Sequence, residues 1–217
     1  MAARILTLCL LSSVLATVTP LKCQSCFASG GQCRNEDMKM MECNGDEDIC
    51  ASIIFRSTFT TPPLSLIMKR CSKSKECFQG YYSTTSVNGR YLQGHMYCCQ
   101  TDNCNAPTVL MPWRRELLSN GLQCPGCFEE NVDSCEGTQP VVCLGNEDQC
   151  VSLSANLVAM GAINLKYALK GCTTKNACIY PKGETQVVNG LFHANVSGVE
   201  CENPMKVSGV WNNVNNS

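Results

Sequence analysis

The chain has 217 residues, 19 of them cysteine, and a formal charge of −1 at pH 7. Aromatic residues make up only 6%, so disulfides rather than a large apolar core are expected to hold it together. The near-neutral balance leaves no electrostatic footprint for nucleic acid or for a polybasic membrane contact.

Residues 1–19 read as a secretory signal peptide. Arg4 is followed by an apolar run from Ile5 to Leu15 that is too short to span a bilayer, and cleavage is expected between residues 16 and 20. Cleavage removes Cys9 and leaves eighteen cysteines, an even number. The segment 20–106 forms one domain with ten cysteines, 107–120 a linker, 121–202 a second domain with eight, and 203–217 a polar tail. That tail lacks the spacer and greasy end of a lipid-anchor signal, so a released protein without a membrane anchor is expected. Divided at Glu116, the mature chain is slightly positive in its first half and near −4 in its second.

The two domains are copies of one module. Cys23, Cys26, Cys33, Cys43, Cys50, Cys71, Cys77 and Cys98 recur as Cys124, Cys127, Cys135, Cys143, Cys150, Cys172, Cys178 and Cys201, at offsets of 100 to 103. Gly45-Asp46-Glu47-Asp48 matches Gly145-Asn146-Glu147-Asp148, and Val87-Asn88-Gly89 matches Val188-Asn189-Gly190. In the linker, Pro107, Pro112 and Trp113-Arg114-Arg115-Glu116 suit a surface connection. Trp113 is a candidate to pack between the copies and fix their angle.

Inside each copy the pattern is β. Val151–Asn156 and Ile163–Lys170 alternate apolar and polar residues, predicting a hairpin with one buried face and a tip near Met160-Gly161. The matching stretch from Ser52 to Lys69 turns at Thr61-Pro62-Pro63. Asn88-Gly89 and Asn189-Gly190 are the dipeptides of a type I′ hairpin turn. No helix is signalled.

Cys-x-x-Cys at the start, hairpins between the fifth and sixth and between the seventh and eighth cysteines, and the closing Cys98-Cys99-Gln100-Thr101-Asp102-Asn103-Cys104-Asn105 resemble the three-finger domain of the lymphocyte-antigen and urokinase-receptor superfamily. Two tandem copies in a secreted chain look most like the gamma-type phospholipase A2 inhibitors. The resemblance implies an all-β, disulfide-rich fold of two tandem three-finger (snake-toxin-like) domains. Spacing alone leaves hundreds of pairings for ten cysteines. The family pattern implies Cys23 with Cys50, Cys26 with Cys33, Cys43 with Cys71, Cys77 with Cys98 and Cys99 with Cys104. In the second copy it implies Cys124 with Cys150, Cys127 with Cys135, Cys143 with Cys172, and Cys178 with Cys201. The second copy lacks the ninth and tenth cysteines, so the residues after Cys201 are expected to be the loosest part of the mature chain.

Other chemistry is weakly signalled. The Cys-x-x-Cys pairs have redox or zinc spacing, but an even cysteine count in an exported repeat favours structural bridges. Asp46-Glu47-Asp48 and Glu147-Asp148 lack the alternating oxygen ligands of a calcium loop and read as solvated turns. His95 and His193 occupy non-equivalent positions with no nucleophile beside them, so neither an enzyme nor a cofactor is expected. Asn195-Val196-Ser197 is a glycosylation acceptor, and Asn215-Asn216-Ser217 a poorer one.

What remains is recognition through the fingers. Phe55, Phe59, Leu64 and Leu66 near one tip, and Leu157, Val158, Met160 and Ile163 near the other, are candidate exposed contacts with a partner. By resemblance that partner is a secreted phospholipase A2, inhibited by masking its lipid-facing surface or active-site mouth, and self-association into a homo-oligomer is a secondary expectation. The alternative is an extracellular signalling ligand or pheromone of the sodefrin-precursor-like kind, acting on another extracellular protein.

Overall fold

The computed structural model describes residues 19–30, 32–159, 163–179, 183–188 and 192–207. The leader, the tip at 160–162 and the Asn189-Gly190 dipeptide therefore lie outside the described residues, as does the acceptor at Asn215. Among the described residues thirteen strands run in chain order: β1 (Lys22–Ser29), β2 (Lys39–Glu42), β3 (Ile49–Ser57), β4 (Leu64–Ser72), β5 (Gly80–Thr85), β6 (Tyr91–Cys99), β7 (Ser119–Glu130), β8 (Gln139–Leu144), β9 (Gln149–Ala159), β10 (Ile163–Thr173), β11 (Gly183–Val188), β12 (Phe192–Glu202) and β13 (Met205–Lys206). Among the described residues the only helical segments are short 3-10 turns, and none is long and apolar enough to cross a membrane.

Each copy is three antiparallel hairpins hung on a knot of cysteines. β3 lies between β4 and β6 in the first copy, and β9 lies between β10 and β12 in the second. The turn from β5 to β6 has Asn88 at φ 57°, ψ 27° and Gly89 at φ 68°, with the Arg90 N–H donating to Val87 O at 3.1 Å. Both central residues take the positive φ that a type I′ turn demands, and Asn-Gly accepts it at least cost.

Nine disulfides join the eighteen cysteines: 23–50, 26–33, 43–71, 77–98, 99–104, 124–150, 127–135, 143–172 and 178–201. The sulfurs of Cys23, Cys43 and Cys71, and those of Cys124, Cys143 and Cys172, crowd within 4.8 Å of one another. All six are bridged, so no thiolate is free to ligate a metal.

The first copy closes with Asn105, which is fully buried. Its side-chain amide donates to Gln24 O at 2.9 Å and Ala51 O at 3.2 Å, while its Oδ1 accepts from Gln24 N at 2.8 Å. In the second copy a strand does this work. β13 pairs with β7 through Met205↔Gln123 and Lys206↔Leu122, and Val207 N donates to Gly121 O at 2.8 Å. The expectation that everything after Cys201 is loose is corrected at residues 205–207, because unpaired backbone on the edge of β7 is satisfied there. Residues 208–217 lie outside the described part.

The copies share one sheet, in the order β11-β12-β9-β10-β5-β6-β3-β4-β1-β2. The seam is the pairing of β10 with β5, Cys172↔Thr85 and Thr173↔Thr84. Ala51, Ile53, Leu66, Met68 and Met96 form one apolar cluster, and Phe59, Val151, Ala155, Tyr167, Leu169 and Val196 another; Leu157 packs against both. The one-sided burial expected over Ile163–Lys170 fails at Tyr167–Leu169, since Ala168 is buried on the other face against Cys127 and Cys135.

Candidate interaction surface

The described finger-tip residues do not form the exposed patch expected of them. Phe59 is 3% exposed and stacks on Phe128 at 5.2 Å and Tyr167 at 6.1 Å, both from the second copy. Arg90 covers Phe128 from 4.4 Å. Leu66 is 3% exposed, and Phe55, Leu64 and Leu157 pack half-buried against the apolar clusters. Val158 is half-buried; Met160 and the Ile163 side chain lie outside the described residues. The physical reason is the shared sheet: the apolar finger faces of the two copies cover each other, which a module read alone does not reveal.

The seam between the copies is polar and buried. Ser83, Thr84, Thr85 and Ser86 are all buried. Glu147 is fully buried as well, which overturns its reading as part of a solvated turn. Its carboxylate accepts from Ser83 Oγ at 2.6 Å, Thr85 Oγ1 at 2.6 Å and Leu144 N at 3.0 Å, and Arg114 Nη1 lies 3.4 Å away. Arg114 Nη2 also donates to Thr85 Oγ1 at 2.7 Å. A buried carboxylate is tolerated when a cation and several donors saturate it, as they do here. Glu47, its counterpart, caps only its own turn through Asn44 N and Nδ2 at 3.0 Å each.

The linker straps this same face of the first copy. Lys69 Nζ donates to Ala106 O and Pro107 O, Leu110 O lies 2.7 Å from His95 Nδ1, and Met111 is 8% exposed. Trp113 is 54% exposed, so it does not pack between the copies as expected. It lies instead under the Arg56 guanidinium at 4.4 Å, with Arg115 at 5.6 Å. Arg56 pairs across β3 and β6 with Gln93, so His95 and Tyr97 follow on the same face at every second residue. Leu110 and Tyr97 are exposed, and Tyr81 meets His95 edge-on. Trp113, Arg115, Leu110 and Tyr97 are thus exposed on this face, with Arg56 and His95 half-buried beside them.

Sequence reasoning missed this patch, because it took Trp113 as a residue packed between the copies rather than as an exposed one. The pairing of Arg56 with Trp113 carries no local signal. Asn195 stands exposed on β12, while the next residue, Val196, is buried on the opposite face.

The described residues form two tandem disulfide-stapled three-finger modules, the architecture of the Ly-6/u-PAR domain class. Residues 21–106 match the family model described as phospholipase A2 inhibitor, and residues 120–204 match the u-PAR/Ly-6 domain. The chain belongs to the phospholipase A2 inhibitor family, whose members are binding proteins and not enzymes. It is 30% identical to a phospholipase A2 inhibitor gamma subunit of Gloydius brevicaudus siniticus, over 78% of this chain and 82% of that one. Phospholipase A2 inhibitor NAI of Notechis ater is 31% identical with the same coverage. Phospholipase A2 inhibitor PIP of Malayopython reticulatus is 32% identical, over 77% of this chain and 81% of its own.

Proposed function

We propose that this protein is an extracellular inhibitor of a secreted phospholipase A2, acting by masking the enzyme's surface, and that the patch centred on Trp113 is its principal contact. Family membership supplies the target class. The observation that carries the site is the exposed Trp113 held beside Arg56 and Arg115. Tryptophan, tyrosine and arginine are the residues that dominate binding energy at protein interfaces, and here they are ordered in advance by the strap. On this reading the working unit is the mature chain, with its copies at 20–106 and 121–202, and a glycan at Asn195 stands clear of both the seam and the patch.

The test is titration of the purified protein against a panel of secreted phospholipases, measuring binding together with hydrolysis of vesicles and of a soluble monomeric lipid. Masking of the lipid-facing surface predicts a larger loss on vesicles, whereas a blocked active-site mouth predicts equal losses. Trp113→Ala and Arg56→Ala each weaken binding by roughly 10- to 30-fold while leaving the fold intact, since hot-spot truncation costs about 2 kcal/mol. An absence of micromolar binding to every enzyme tested would sink the proposal.

A further inference from the structure

Between the linker strap, the first finger and the second finger lies a partly enclosed cavity of about 270 Å³. Ile54, Ile67 and Val109 give it one apolar wall, Gln32, Asn35 and Thr108 line it with polar groups, and Lys69 lines it too. Lys69 is 4% exposed. Two of its three N–H groups are taken by Ala106 O at 2.5 Å and Pro107 O at 3.1 Å. Among the described residues no carboxylate pairs with it, and burial alone pushes its ammonium below the ordinary lysine value.

Two neutral carbonyls satisfy donors but cancel none of the net charge. A desolvated cation costs several kcal/mol unless an anion faces it. Holding the linker requires only a hydrogen-bond donor, which an uncharged asparagine or glutamine supplies without burying a charge. Lys69 and one apolar wall share this otherwise polar cavity.

We propose that this cavity binds a small organic monoanion, a carboxylate carrying a short aliphatic chain, with its head group on Lys69 Nζ and its chain against Ile54, Ile67 and Val109. The volume falls just below the ~300 Å³ at which sites for drug-sized ligands begin, which sets the ligand at about ten non-hydrogen atoms. The site lies on the strap and is independent of which protein the Trp113 patch engages.

Octanoate is the probe, measured on the mature full-length protein by calorimetry and by thermal shift, with 1-octanol and octylammonium as charge controls. Octanoate is expected to saturate and to bind at least about tenfold tighter than 1-octanol, the difference reflecting a charge-assisted hydrogen bond. Octylammonium is expected not to bind. Lys69→Met removes the preference for octanoate over octanol. Because that variant also loosens the strap, Val109→Trp provides a second arm: it fills the cavity, keeps Lys69 and its carbonyl bonds, and abolishes binding with the circular dichroism spectrum unchanged. Failure of octanoate to saturate by about 10 mM, equal affinity for octanol, or undiminished binding to Val109→Trp overturns the proposal.

Discussion

Asp46 and Asp48 show what the repeated acidic run does at the scale of single residues. Asp48 accepts the Ser74 backbone N–H at 2.6 Å, and that bond followed by the Ser74 hydroxyl holds its carboxyl below the usual aspartate value. Asp46 is lowered first by its hydrogen bond to Lys73 and then by the charge of that lysine. The second copy repeats the Asp48 contact, with Asp148 Oδ1 accepting from Lys175 N at 3.0 Å. A carboxyl whose folded value is depressed stabilises the fold above its unfolded value near 3.8. That contribution is lost as pH falls through 3.8 toward the lower folded value, because the unfolded chain takes up its proton first. Chemical denaturation between neutral pH and strong acid should therefore show stability falling below that point. The slope should be shallower in Asp48→Asn, and salt should blunt the Asp46 part because Asp46 and Lys73 meet at the surface. The run was legible as a turn before a cysteine. That one of its members, Glu147, is buried was not legible, because Glu47 and Glu147 occupy equivalent places in the repeat and differ only in what the other copy brings to them.

At the scale of elements, hairpins and turns came from local rules, and the seam did not. The Asn88-Gly89 turn is specified by two adjacent residues, and the β3–β4 and β9–β10 hairpins by apolar spacing and proline placement. Pairing of β10 with β5 depends on residues nearly ninety apart, with no charge or periodicity to announce it. Its one local trace is Gly171. A Cβ built there would stand 2.0 Å from Thr85 O and 3.0 Å from its carbonyl carbon, both backbone atoms that cannot rotate aside. Gly171→Val should consequently open the β10–β5 junction at a cost of about 1–3 kcal/mol or more, the range for forced overpacking. Hydrogen exchange reads this directly. The Thr174 amide, which donates to Ser83 O at 3.0 Å, should lose protection, while the amide of Cys43, bonded to Leu21 O, keeps it. Retained protection at Thr174 would show that the seam yields without cost.

At the scale of the whole molecule, the consequence of that seam is cooperativity between the copies. Among the contacts that cross it are the β10–β5 ladder, the aromatic stack of Phe59 with Phe128 and Tyr167, and the carboxylate of Glu147 with Ser83, Thr85 and Arg114, Thr85 belonging to both the ladder and the carboxylate cluster. The family resemblance made the modules legible but not their union, because three-finger domains are described one at a time and the apolar finger faces then look free. Glu147 is the member whose loss leaves most behind. Its removal takes the acceptor from the buried Ser83 and Thr85 hydroxyls and the Leu144 N–H and the counter-charge from Arg114, which keeps its bond to Thr85 Oγ1 and its place over Tyr91. Truncating one partner of a buried ion pair costs roughly 3–5 kcal/mol, more than a surface pair ever returns. That loss falls on the seam and not on the cysteine knots, which keep all nine bridges. The wild-type chain is expected to unfold in denaturant as one transition, whose steepness reports exposure of both copies at once. Glu147→Ala should split it into two shallower transitions, one per copy. If Glu147→Ala instead shifts a single transition with unchanged steepness, the ladder and the aromatic stack are sufficient to couple the copies without the carboxylate.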